Sequence, residues 1–198
     1  MRSRGSTVTM PTDRALADRF TRYRDEAAFR ELYRRHVDRV HRLVARILGP
    51  RGDVDDTVQE IFVQVHRSLD RFRGDSLFAT WLHRIAVNVT MSVLRHGPRE
   101  LLEPALRATD AGPGEQLEAR EEVLALYRAL DELPEHNRVA FVLFELEGMP
   151  LDELAETTGV PLQAAAARLR RARVAIARAL GRGPGVRDSA AAADEEKP

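Results

Sequence analysis

Apolar residues along the chain recur every three to four positions, a spacing that predicts amphipathic helices rather than strands. Phe29, Leu32, His36 or Val37, Val40, Leu43, Val44 and Ile47 form a first stripe, stopped by Gly49-Pro50 and Gly52. Val54, Val58, Ile61, Phe62, Val65 and Leu69 form a second, with Asp53 or Asp55 placed to cap its start. After Arg73-Gly74 a third stripe runs through Trp81, Leu82, Ile85, Val89 and Val93, with Asp75 or Ser76 as its cap, and ends before Gly97-Pro98. Residues 98–116 hold Pro98, Pro104, Gly112, Pro113 and Gly114 and no sustained stripe, which reads as a linker. Fully extended, about 19 residues at ~3.3 Å each reach roughly 60 Å, so the blocks on either side can sit far apart on a long partner.

The second block predicts helices at about 117–133, 134–147, 151–158 and 162–180. Pro134 suits a first helical position, and Gly148 and Gly159 suit the ends of helices. Residues 1–24 read as a polar tail and the start of a helix, and the tail from Gly181 reads as disordered. No alternating segment argues for a strand. The expected fold is all-α, two small helical domains at 25–97 and 117–180 joined by a flexible linker.

Leu151–Thr158, the turn Gly159-Val160-Pro161 and Leu162–Leu180 make a helix-turn-helix pattern, whose second helix enters the major groove in DNA-binding versions. On that helix Ala165, Leu169, Ala172 and Ile176 form the inward stripe. Arg170 and Arg171 face away from it, with Arg168 and Arg173 on the flanks. Charge changes the picture here. The 198-residue chain is 31% charged with zero formal net charge, so a nucleic-acid partner is not announced by the total. Yet from Gln163 to Arg187 there are seven Arg and no acid, while Glu121–Val160 holds ten acids and two Arg. A concentrated phosphate-binding surface fits this partition better than arginines that merely complement a helix C-terminus.

In the first block the second stripe opens with Asp53, Asp55, Asp56, Gln59 and Glu60. These either complement a helix dipole or form a docking surface for a basic or helical partner, and both readings stay open on the residues alone. Phe72-Arg73-Gly74-Asp75-Ser76-Leu77-Phe78 sets aromatics around a glycine turn, and Trp81, Arg84, Asn88 and Arg95 follow on or near one helix face. Aromatics beside Arg and Asn suit unpaired bases, which need stacking platforms and polar edge readers. The competing reading makes Phe78 and Trp81 ordinary core, and for Trp81 at least a partial core role is expected.

With no cysteine, disulfide and thiolate chemistry are excluded. No apolar run reaches the ~18–20 residues of a membrane span, and Met1–Thr12 lacks the apolar segment of a signal peptide, so a cytoplasmic protein without membrane insertion is expected. His36 and His41 are five apart and do not share a face well enough to chelate a metal. No phosphate loop or nucleophile motif is present. No metal, no cofactor and no enzymatic activity are expected.

Asp55-Asp56-Thr57-Val58-Gln59-Glu60-Ile61-Phe62 resembles the D-L-V-Q-E-x-F signature of sigma region 2. Phe72–Asn88 is similar to the F-R-G-x-S-x-F-x-T-W-L-x-R-I-A-x-N segment of the same region. Leu130–Pro134 and Arg168–Arg173 resemble the start and end of sigma region 4. Over about residues 25–180 the chain thus resembles bacterial RNA polymerase sigma factors of the sigma-70 family, extracytoplasmic-function subfamily. The resemblance implies a non-enzymatic factor that binds core RNA polymerase and directs it to promoter DNA, with an anti-sigma factor as a family expectation. It implies that Asp55, Asp56, Gln59, Glu60 and Phe62 dock on the polymerase clamp. It assigns Phe72, Arg73, Asp75, Ser76, Phe78, Trp81, Arg84, Asn88 and Arg95 to melted minus-ten bases. To the minus-thirty-five element it assigns Gln163, Ala164, Ala166, Ala167, Arg168, Arg170, Arg171 and Arg173. Three departures stand out. Thr57 replaces the usual leucine, Pro150 a usual Ser or Thr cap, and Gln163–Ala167 a common G-T-V-K-S. Alanine donates to neither a base edge nor a phosphate, which leaves a degenerate sigma-like adaptor with weak DNA readout as one alternative. A stand-alone helix-turn-helix regulator is another.

Overall fold

The computed structural model describes residues 10–49, 53–96 and 113–181, and all regular structure among them is helical. The chain divides into two compact units, the first of residues 1–102 with the short stretch Thr157–Gly159 and the second of the remaining residues from 103 onward. The expected linker falls mostly, and the C-terminal tail almost wholly, outside the described residues.

The first unit holds α1 (Asp13–Tyr23), α2 (Glu26–Leu48), α3 (Val54–Ser68), a 3-10 turn (Leu69–Arg71) and α4 (Phe78–His96). α1 is a complete helix in a stretch whose sequence reads largely as a tail. Thr12 caps it by accepting from the Ala15 N–H, and it buries Leu16, Ala17 and Phe20. It stops at Arg24, a non-glycine residue in the left-handed region at φ 52°. Asp25 then caps α2 through the Ala27 and Ala28 N–H groups. Arg19, at 2.5 Å, and after it those backbone donors hold the Asp25 carboxyl below the usual range. Asp53 rather than Asp55 caps α3. Most of the first two anticipated stripes become core: Leu32, Val40, Leu43, Val44 and Ile47 of α2 are buried with Val58, Ile61, Phe62 and Val65 of α3. The third is only partly as expected: of its residues Leu82 and Val89 are buried, Trp81, Ile85 and Val93 are half-buried, and Ala86 and Val87 complete the buried face of α4. Each large apolar side chain among these contributes about 1.5–3 kcal/mol on leaving water.

Two buried polar groups on this core are settled differently. Thr57, buried where a leucine is common in the family it resembles, donates its hydroxyl to the Asp53 carbonyl at 2.7 Å, so the substitution leaves no orphan group. His83 is buried with Nδ1 unpartnered, and desolvation, reinforced by the charges of Arg39 and His36, pushes its pKa down to about 4. It is a neutral core residue.

The second unit holds α5 (Pro113–Asp131), α6 (Glu135–Phe141) running into a π turn (Val142–Leu146), α7 (Leu151–Thr158) and α8 (Leu162–Ala179). α5 begins about four residues before the start that the sequence predicts. Pro134 precedes α6 as its cap residue instead of opening it, and its carbonyl accepts from Asn137 and Arg138. Gly148 and Gly159 both stand at φ 66°, the conformation in which a side chain is strained. Pro150 offers no side-chain cap to α7, but its carbonyl accepts from the Leu154 N–H at 2.9 Å.

Inside this unit Arg138 is 2% exposed, and its guanidinium donates to the equally buried carboxylate of Asp131. The pair ties the end of α5 to α6 across the Leu130–Pro134 turn. Removing one partner of a buried pair strands the other charge, whereas replacing both by apolar residues is often neutral. Arg138→Ala is therefore expected to cost about 3–5 kcal/mol, and Arg138→Met with Asp131→Leu much less. Chemical denaturation of the full chain followed by circular dichroism distinguishes the two; equal destabilisation would refute the stranded-charge account.

Candidate protein and nucleic-acid interfaces

α3 turns its inner stripe toward α2 and α4, which leaves Asp55, Asp56, Gln59, Glu60, Val63 and Arg67 exposed along its outer side. Asp55 also meets His41 Nε2 of α2 at 3.1 Å. Beside this row a groove of about 590 Å³ opens between α2 and α3. Phe29, Tyr33, Val37, Val58, Phe62 and Val63 give it an apolar floor, and His41, Asp55, Gln59, His66 and Arg67 a polar rim. Of the expected docking residues, Asp55, Asp56, Gln59 and Glu60 are thus surface groups, but Phe62 is not. It is 5% exposed, edge-on to Tyr33 at 4.6 Å, because it belongs to the inner stripe of α3. Tyr33 and Val63, each 41% exposed, are the groove residues that sequence reasoning passed over. For Tyr33 the signal was its i, i+4 spacing to Phe29 and Val37, which places it in the same apolar stripe of α2.

On α4, Trp81, Arg84, Asn88 and Arg95 fall within about 60° of arc at 100° per residue, so they share a face opposite the core stripe. Asn88 and Arg95 are exposed, Trp81 and Arg84 half-buried. The loop before α4 is held by an aromatic cluster. Phe78 lies 5.5 Å from Phe72, 5.7 Å from Trp81 and 5.2 Å from His36, and Phe72 lies 5.4 Å from Trp81. Phe78 is 4% exposed, a support beneath the loop and not a contact surface, contrary to its expected place among the base-contacting residues. Trp81 is partly core, as the sequence suggested. Arg73 and Asp75 project outward, and Ser76, half-buried, donates to the Leu77 carbonyl at 3.4 Å. Leu77, rather than Asp75 or Ser76, immediately precedes the helix, and its side chain is 78% exposed.

On α8, Ala165, Leu169, Ala172 and Ile176 are buried, the stripe read from the sequence. Gln163, Arg170 and Arg171 are exposed, and Ala164, Ala166, Ala167 and Arg168 half-buried. Arg173 differs from its neighbours. It donates to Glu145 at 2.6 Å and stacks over the Phe144 ring at 5.1 Å, both from the π turn.

Similarity to known proteins falls on these same units. The sigma-70 region 2 model matches residues 32–99, and the sigma-70 region 4 model residues 124–181. The ECF RNA polymerase sigma-E factor of Escherichia coli K12 is 38% identical over 179 residues, covering 83% of this chain and 92% of the relative. This chain belongs to the sigma-70 family, in its extracytoplasmic-function branch. The sigma-E factor of Haemophilus influenzae is 36% identical, with 83% and 93% covered. Among solved structures, CnrH in complex with the cytosolic domain of CnrY superposes with a TM-score of 0.63 at 28% identity, covering 85% of this chain and 97% of that one. The sigma factor RpoE of Bartonella quintana, solved with the anti-sigma factor NepR, superposes at 0.60 and shares the fold at 20% identity, covering 77% and 96%. As a sigma factor the protein is not an enzyme; it directs transcription initiation. No described helix of this sigma factor is long and apolar enough to cross a membrane.

The pairing of Arg173 separates it from Arg171 in a measurable way. Removing a single arginine–phosphate bond lowers the slope of log affinity against log salt by about 0.9. Arg171→Ala is expected to lower the slope for duplex promoter DNA by about that amount, and Arg173→Ala to leave it nearly unchanged while lowering thermal stability. Fluorescence-anisotropy titrations across salt concentrations decide; an equal drop in slope for Arg173→Ala would place that residue on DNA.

Proposed function

We propose that the two units divide initiation as follows, with residues 25–97 acting as region 2, the stretch up to the start of α5 at Pro113 as linker and the helices from α5 to α8 as region 4. The outer row of α3 docks on a helical surface of core polymerase, with Asp56, Gln59 and Glu60 as polar contacts and the neighbouring apolar groove taking a partner's hydrophobic side chains. The 72–77 loop and the outer face of α4 take melted minus-ten bases. Extruding a base costs a few kcal/mol of stacking, which a half-exposed aromatic such as Phe72 or Trp81 beside Arg84 and Asn88 is suited to offset. α8 lies at the minus-thirty-five element, where Arg168, Arg170 and Arg171 supply phosphate contacts. Ala164, Ala166 and Ala167 offer only apolar contact, for example to a thymine methyl, so base discrimination by this helix is weak. The observation that carries the reading is the common face of Trp81, Arg84, Asn88 and Arg95 beside the loop. CnrH was solved with the cytosolic domain of CnrY and the Bartonella RpoE with an anti-sigma factor, which supports an anti-sigma factor as a partner here. Run-off transcription with core polymerase, with and without the protein, tests the whole; no promoter-dependent product would overturn it.

Two substitution sets test the parts. Changing Asp56, Gln59 and Glu60 together to Ala is expected to abolish co-purification with core polymerase while the helical spectrum is retained. Undiminished binding by the folded variant would remove α3 from the interface. Asn88→Ala and Arg84→Ala are expected to reduce open-complex formation, read by permanganate reactivity of the melted strand, more than they reduce binding to the closed duplex. Equal reductions at both stages would assign them to general affinity.

A further inference from the structure

α1 lies before the region 2 match, which begins at residue 32, and none of the roles proposed above gives it a task. It grips the connection between α3 and α4 at two places. At its C-terminal end Arg24 donates both terminal nitrogens to Asp70 of the 3-10 turn, at 2.8 and 3.3 Å. At its N-terminal end Arg14 reaches the Gly74 carbonyl at 3.4 Å. The Arg14 guanidinium lies against the glycine, so close that a Cβ at position 74 would come within 2.8 Å of its Cζ. Gly74 is at φ 77°, so the lack of a side chain serves both the turn and the arginine beside it. A third link is indirect: Asp13 holds His36 Nε2 at 2.7 Å, and the His36 ring leans on Phe78, the support beneath the same loop.

We propose that α1 is a brace for the 72–77 loop and that Arg14 is a positioning residue, fixing the Gly74 turn so that Arg73 and Asp75 are presented outward before DNA arrives. The chemistry fits a positioning role better than a stability role. Arg14 and the Arg24–Asp70 pair are exposed, and exposed ion pairs contribute little to global stability. A contact on a loop carbonyl instead reduces the number of conformers the loop must abandon when it captures a base. The proposal rests on the assignment of this loop to the melted strand, and its test separates the two.

In the full chain Arg14→Ala is compared with Arg22→Ala, an exposed residue of the same helix that grips nothing in the loop. Backbone nitrogen-15 relaxation of the free protein reads the brace without DNA. Order parameters at residues 73–77 are expected to fall in Arg14→Ala, with α2 and α3 core residues and the Arg22→Ala protein unchanged. Open-complex formation with core polymerase is expected to fall by roughly two- to tenfold, the worth of one hydrogen bond, at unchanged polymerase affinity. Unchanged loop order overturns the brace, and so does a looser loop with undiminished opening. If Arg14→Ala alone is silent while Asn88→Ala impairs opening, the brace is wrong and the loop assignment stands. If Asn88→Ala and Arg84→Ala also leave opening intact, the loop assignment fails and the proposal falls with it.

Discussion

The first unit depends on Phe78 being inside. Its ring touches Phe72 before the glycine turn, Trp81 one turn further along α4, and His36 from α2, so a single side chain ties both ends of the loop to the helical core. Tilted and edge-on aromatic contacts of this kind are worth about 0.5–1.5 kcal/mol each beyond the area they bury. The orientation of the loop follows. With Phe72 and Phe78 both drawn toward the core, the short stretch between them turns through Gly74 and leaves Arg73, Asp75 and Leu77 outside. A surface made this way needs no core of its own. It is the outer side of a packing decision already taken.

The same logic explains what was legible in the sequence. Stripes at helical spacing exposed α2, α3, α4 and α8, because a helix that buries one face must repeat its apolar residues there. The inward set of α8 was readable to the residue. α1 was not, since only Leu16, Ala17 and Phe20 of its eleven residues are buried and its capping threonine sits in a polar tail. Tyr33 shares the apolar spacing of Phe29 and Val37 and was legible, whereas Val63 falls outside the stripe of α3, where periodicity says nothing. The motif resemblance puts Phe78 at a base-contacting surface, whereas its place on the inner stripe sends it into the core; Phe62, also on an inner stripe, reaches the surface only as part of the groove floor. The π turn reads as plain helix in the sequence: an i to i+5 register such as Glu147 N–H to the Val142 carbonyl leaves no mark in apolar spacing.

Charge is legible in one respect and hidden in another. The arginines of α8 stand out in a protein of zero net charge, and that contrast is visible without a structure. Which of them remain available is not. Arg173 is paired with a carboxylate 28 residues earlier and lies over an aromatic ring, an arrangement set by how α8 packs on the π turn. Among the described residues the cationic face is thus narrower than the run of arginines implies, with Arg168, Arg170 and Arg171 around the helix and Arg178 beyond.

That narrowing bears on the alanines that open α8. A helix held only by phosphate contacts would be free to slide and roll against the duplex, because phosphates position without specifying. The Arg173 link to Glu145 and Phe144 removes one cation from that pool and uses it to fix α8 against its own unit. Small, half-buried side chains at Ala164, Ala166 and Ala167 then let the start of the helix approach a groove closely. On the proposed reading, such a helix reads the shape of its site and the presence of methyl groups, a coarse discrimination compared with bidentate base pairing. On that reading, selectivity among promoters falls chiefly to the first unit, where the loop and the outer face of α4 offer polar groups beside stacking surfaces.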